Sequence, residues 1–100
     1  MEIKGTPREY NRRSFVVPIK YFMFVSDGKE LKKIYTTGVT VDICEGGLGM
    51  ITEYPLKGGD IVTFEDEIKS SNITAKIAIV RWVQNIEGNK YRVGMRFINI

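Results

Sequence analysis

The chain has 100 residues, which is the size of one small domain, and its 15 basic and 12 acidic side chains give a net charge of +3. It has no histidine and a single cysteine, Cys44. The common zinc sites and the Ser-His and Cys-His catalytic arrangements cannot be built from this chain alone, so we expect neither a catalytic nor a metal site.

The first part of the chain predicts two β-strands. Apolar residues alternate with polar ones from Phe15 to Val25, which predicts a half-buried strand with its odd-numbered side chains inward. Asp27-Gly28 predicts a hairpin turn. We expect the second strand over Ile34–Ile43, with Tyr35, Thr37, Val39, Val41 and Ile43 on one face.

The second half predicts four more strands separated by turn residues: Leu48–Thr52, Ile61–Glu65, Ile73–Gln84 and Tyr91–Ile100. The apolar phase changes from Ile77 and Ile79 to Val80 and Trp82, which predicts a β-bulge. Six short strands without a helical repeat predict an all-β antiparallel barrel or sandwich. We place the barrel domain at residues 13–100, preceded by an N-terminal arm over residues 1–12.

One candidate cluster runs from Asp42 to Gly47. Residues two apart in a strand point the same way, so Asp42 and Cys44 are expected on one face, roughly 7 Å apart. A carboxylate accepts two parallel N–H bonds from a planar donor such as arginine or the edge of guanine. Gly46 and Gly47 carry no Cβ and let a ligand approach the backbone. A tight turn beside a solvated aspartate is the alternative interpretation.

The other cluster lies in the N-terminal arm. Thr6-Pro7-Arg8-Glu9 has the pattern of a helix start, and one helical turn would place Arg8 and Arg12 on the same face. Two guanidinium groups so placed can hold two phosphates, or one phosphate and a stacked base. A solvated basic tail is the alternative.

Taken together, the two clusters resemble the PilZ domain family. The Arg-x-x-x-Arg pattern of Arg8 and Arg12, followed by Asp42-x-Cys44-x-x-Gly47, is similar to that family's two motifs, and the likeness extends through Ile79–Val83 and Tyr91–Phe97. The resemblance implies a six-stranded antiparallel β-barrel of the split-barrel or Greek-key type with a flexible N-terminal arm. It also implies binding of cyclic di-GMP, a bacterial second messenger, without any further cofactor.

The resemblance further implies individual roles. Arg8 and Arg12 would hold phosphates and stack on guanine, Asp42 would accept from a guanine edge, and the loop through Gly47 would approach the ligand. Cys44 stands where the family usually has serine. Because a thiol hydrogen-bonds more weakly than a hydroxyl, we expect weakened rather than abolished binding.

Several residues carry less specific expectations. Arg13, Gly46 and Arg96 are second-rank ligand candidates. We interpret Trp82 as barrel packing, with a place on the ligand face as the alternative. Arg81 and Arg92 alternate with core residues and are interpreted as solvated surface.

The predicted function is a cyclic di-GMP receptor module, not an enzyme, that signals to a downstream protein by ordering residues 1–12 over the barrel. A PilZ-like interaction domain that binds no nucleotide, for example in pilus or motility machinery, is the first alternative. A small barrel that binds single-stranded RNA is the second. The mild net charge argues against binding of DNA or RNA. The single cysteine and the lack of a leader pattern or membrane span predict a cytoplasmic protein.

Overall fold

The computed structural model describes residues 12–98, which form seven antiparallel strands in one sheet. No helix that could cross a membrane is found among these residues. The strands are β1 (Arg13–Ser14), β2 (Pro18–Ser26), β3 (Leu31–Cys44), β4 (Gly47–Thr52), β5 (Ile61–Ser70), β6 (Ile73–Glu87) and β7 (Lys90–Ile98).

Six of the strands close into a barrel. They are hydrogen-bonded in the order β3-β2-β5-β6-β7-β4, and β4 pairs back with β3. The predicted six-stranded antiparallel barrel is therefore confirmed. β1 is an additional strand that pairs with the end of β3, where Ser14 lies opposite Asp42. Its two exposed residues show no apolar alternation, which is why the sequence did not predict it.

Along most strands, every second side chain points into the core. In β2 the inward residues are Ile19, Tyr21 and Met23, as the alternation predicts. The phenol of Tyr21 lies 2.7 Å from Oγ1 of Thr52, which itself donates to a backbone carbonyl of β3 at 2.9 Å. The buried hydroxyl groups are thus satisfied within the core.

The prediction that Tyr35, Thr37, Val39, Val41 and Ile43 lie on one face of β3 is wrong. Tyr35 and Val39 are exposed, whereas Thr40 is buried. The pairing of β3 with β4 shifts register between Thr40 and Asp42, and beyond this bulge Ile43 points into the core. The inserted residue reverses the alternation of side chains. The even-numbered Thr40 therefore points into the core before the bulge, and the odd-numbered Ile43 points into it after the bulge.

The predicted bulge in β6 is confirmed, since the pairing of β6 with β7 shifts register between Val80 and Trp82. Val80 is buried before the shift, and Trp82 emerges on the outer surface. The bulge therefore determines which side chains of β6 reach the outside of the barrel.

Candidate ligand-binding site

A groove of about 700 Å³ lies on the outside of the barrel, over β3, β4, β6 and β7. Its volume is in the range of about 300–1,000 Å³ that small-molecule sites occupy. The lining combines arginines, carboxylates, glycines and one indole: Arg12, Asp42, Cys44, Glu45, Gly46, Gly47, Gly49, Arg81, Trp82, Arg92, Gly94, Met95, Arg96 and Phe97.

An ion pair between Arg12 and Asp42 lies at one side of the groove. Nη2 of Arg12 donates to Oδ1 of Asp42 at 2.9 Å, and Nη1 of Arg12 is 3.5 Å from Sγ of Cys44. One guanidinium thus contacts both side chains, so Asp42 and Cys44 share a face of β3 as their spacing predicts. Nη2 of Arg92 lies 3.8 Å from Oδ2 of Asp42 and makes it a carboxylate between two cations.

The surroundings of Asp42 favour its charged form. The hydrogen bond from Arg12 lowers the pKa of Asp42 most, and burial opposes it. The charges of Arg12 and Arg92 and the N–H of Gly49 lower the pKa further. The same hydrogen bond raises the pKa of Arg12. Asp42 is therefore an ionised acceptor at neutral pH, poised for a planar N–H donor.

Three glycines form the floor of the groove. A Cβ at Gly47 would overlap the carbonyl of Met95, and one at Gly49 would lie 2.7 Å from Oδ1 of Asp42. A Cβ at Gly94 would overlap the indole of Trp82. Gly49 lies opposite Gly94 across the β4–β7 pairing. The missing side chains therefore make room for the protein's own groups: the carbonyl of Met95, the carboxylate of Asp42 and the indole of Trp82.

Trp82 lies over Gly94 with 48% of its surface exposed. Trp82 therefore packs against the barrel, as interpreted, but on its outer surface and not in the core, and it lines the groove. The bulge after Val80 turns the indole outward, onto the one position of β7 that has no side chain. The exposed part of the indole is available for stacking.

The groove is cationic, because four arginines line it against two carboxylates. Arg96 and Gly46, the second-rank ligand candidates, both line the groove. Arg81 and Arg92 line it as well, although their positions in the sequence indicate solvated surface. A signal for Arg92 in the sequence is the run Arg92-x-Gly94-x-Arg96, in which one strand face carries two cations around a glycine, and Arg81 has no comparable signal. The glycine is required by the indole of Trp82, which packs on it between the two arginines.

Not every predicted residue reaches the groove. Arg13 turns away, and its Nη2 donates to Oγ of Ser70 at 2.9 Å. Arg8 and the rest of the predicted arm before Arg12 lie outside the described residues. Within residues 12–98, no group of three acidic or cysteine side chains is placed to hold a metal ion.

A search among curated proteins finds no match to this chain. The sequence profile of the PilZ domain, in contrast, matches residues 6–100, which is nearly the whole length. The matched segment includes the groove and the four positions Arg8, Arg12, Asp42 and Gly47 that carry the motif likeness. The chain therefore belongs to the PilZ domain family.

Proposed function

We propose that this PilZ domain is a receptor for cyclic di-GMP, which it binds in the groove on the outside of the barrel. The observation that carries the proposal is the convergence of a guanidinium, an ionised carboxylate and an exposed indole around a glycine floor. PilZ domains are generally binding modules for this nucleotide rather than enzymes. The groove contains one candidate group for each chemical feature of the ligand.

The ligand has two phosphates and two guanines, and each needs a different partner. Arg12, together with Arg92 and Arg96, supplies cations for the phosphates. Asp42 supplies an acceptor for the N–H donors of a guanine edge. Trp82 supplies an aromatic surface on which a purine ring can stack, and Gly94 lets the indole lie close to the backbone.

Binding requires the ion pair between Arg12 and Asp42 to change partners. In the described structure Asp42 already accepts from Arg12 at 2.9 Å. We propose that the guanidinium turns to a phosphate while guanine takes its place on the carboxylate. Arg92, 3.8 Å from the other carboxylate oxygen, remains to balance the charge of Asp42 during this exchange.

The motif arginine Arg8 is proposed as the second cation of the clamp. A ligand held by Arg12 would bring the residues before it over the groove, and the fixed arm would present a new surface to a downstream partner. Fixing each residue opposes binding by roughly 1–2 kcal/mol, so the contacts of Arg8 offset only part of this cost and the arm must gain other contacts as well. Hydrogen exchange of residues 1–11 should slow when cyclic di-GMP is added.

Calorimetric titration with cyclic di-GMP tests the receptor function. Arg12→Ala and Arg8→Ala should each weaken binding at least tenfold, because a hydrogen bond to a charged group contributes about 1.5–3 kcal/mol. Arg13→Ala is the matched control, since this neighbouring arginine contacts Ser70 and not the groove. Unchanged affinity in both Arg8→Ala and Arg12→Ala would refute the clamp.

A non-binding interaction domain is the second candidate function. The observation that favours it is that Cys44 replaces the usual serine and, like Asp42, already contacts Arg12. If the unmodified chain shows no heat with cyclic di-GMP and Cys44→Ser restores none, this alternative replaces the receptor function.

A further inference from the structure

The hairpin formed by β2 and β3 presents an apolar surface on the outside of the barrel, away from the groove. Phe22 lies opposite Tyr35, and their ring centroids are 5.7 Å apart. Phe24 packs edge-on against Phe22 at 6.0 Å. Phe24 and Tyr35 are 58% and 61% exposed. We call these three aromatic side chains the hairpin face.

Apolar residues also lie on the neighbouring strands. Phe22 is opposite Thr63 of β5, which is opposite Ile77 of β6, and the next rung pairs Ile61 with Ile79. Ile61 is exposed. Thr63 separates these isoleucines from Phe22, so the contiguous apolar surface is the hairpin face itself; such a surface marks an interaction site, whereas scattered exposed apolar residues do not.

The hairpin also carries an open backbone edge. β4 pairs with β3 only from Gly38 onward, and β2 occupies the other edge of β3. In the described part of the chain, the side of residues 31–36 that faces away from β2 has no strand partner. An open edge accepts an added strand through main-chain hydrogen bonds.

The charges on the hairpin select the partner. Nζ of Lys33 lies 4.1 Å from the ring centroid of Phe22 and 5.1 Å from that of Tyr35. Over residues 12–98, the ion pair found on this hairpin joins Lys32 to Asp27, and it leaves Lys33 without a carboxylate. Lysines on an edge strand oppose pairing with a second copy of the same chain. They favour an acidic partner instead.

We propose that the open edge of β3 binds an extended, acidic segment of another protein as an added strand. Alternate side chains of that strand would lie beside Leu31, Lys33 and Tyr35, which point to the outer face. A partner strand that fits this edge therefore has an apolar, an acidic and an apolar residue at three successive alternate positions. The acidic side chain would pair with Lys33, and the apolar ones would cover Leu31 and Tyr35.

Synthetic peptides of seven residues test the proposal by NMR titration of the full chain. The acidic probe has the sequence Thr-Val-Thr-Glu-Thr-Ile-Thr. A second probe has lysine in place of the glutamate. The acidic probe should shift the amides of residues 31–37, and the lysine probe should bind about three- to tenfold more weakly. Lys33→Glu should reverse this preference, and Lys90→Glu, at the start of β7, is the matched control.

Any of four results would overturn the proposal. The acidic probe at 1 mM could cause no shifts at residues 31–37, or Lys33→Glu could leave the preference between the two probes unchanged. Sedimentation could instead show that the chain dimerises through this edge. Vesicles of phosphatidylglycerol could also bind the chain, with Lys33→Glu abolishing that binding, while neither peptide binds. Cyclic di-GMP binding is measured separately, and neither result depends on the other.

Discussion

The ion pair between Arg12 and Asp42 should stabilise the fold as well as prepare the groove. At 2.9 Å, two unit charges in a water-like dielectric attract by about 1.4 kcal/mol. The side chains are 31% and 24% exposed, so solvent screening and lost side-chain entropy offset part of this attraction. We expect a coupling free energy of about 1 kcal/mol in a double-mutant cycle of Arg12→Ala and Asp42→Ala.

Urea unfolding of the four proteins measures this coupling. A matched cycle of Lys32→Ala and Asp27→Ala should show a smaller coupling, because that pair is 3.7 Å apart and more exposed. Since the pKa of Asp42 is depressed in the folded state, the coupling should be complete above about pH 4, the usual value, and should fall as the pH drops through the folded pKa. Arg12→Ala should raise the pKa of Asp42 in a carboxyl NMR titration. Zero coupling together with an ordinary Asp42 pKa would refute this reasoning.

Three further substitutions test other parts of the structure. Trp82→Ala should weaken cyclic di-GMP binding about five- to 150-fold in calorimetry, because a stacked base contributes about 1–3 kcal/mol. The melting temperature should also fall, because about half of the indole is buried against the barrel, so binding is measured well below it; an unaltered affinity would exclude stacking. Cys44→Ser should tighten binding about two- to tenfold by restoring a hydroxyl beside Arg12, and weaker binding would show that the thiol is preferred. Tyr21→Phe should lower the free energy of unfolding by about 1 kcal/mol and the melting temperature by about 4–8 °C, because Thr52 loses its buried partner; equal stability would mean that this hydrogen bond contributes nothing.

The regular parts of the barrel were readable from the sequence because alternation directly reports burial. Ile19, Tyr21 and Met23 were placed inward correctly, and the phase change near Val80 disclosed the bulge in β6. The bulge in β3 has no such signal. The alternation of Tyr35 and Val39 continues into Ile43 in sequence, although the register shift beyond Thr40 places the first two outside.

The candidate site was only partly readable for a different reason. Arg12 and Asp42 are 30 positions apart, and nothing in local spacing joins them; the family resemblance did. Arginines that alternate with core residues fit a solvated face equally well, so Arg81 and Arg92 were missed. Trp82 is large and amphipathic and fits either side of a strand, so its position depended on a bulge whose direction the sequence does not specify.

The most direct test of the central claim is an NMR titration of the chain with cyclic di-GMP. The chain has a single tryptophan, so one indole N–H resonance reports on the groove floor. The receptor proposal predicts that this resonance and the backbone amides of Asp42, Gly47 and Gly94 shift together and saturate, and that Arg12→Ala suppresses the change. Saturable shifts confined to another face of the barrel, or no shifts at millimolar nucleotide, would contradict it.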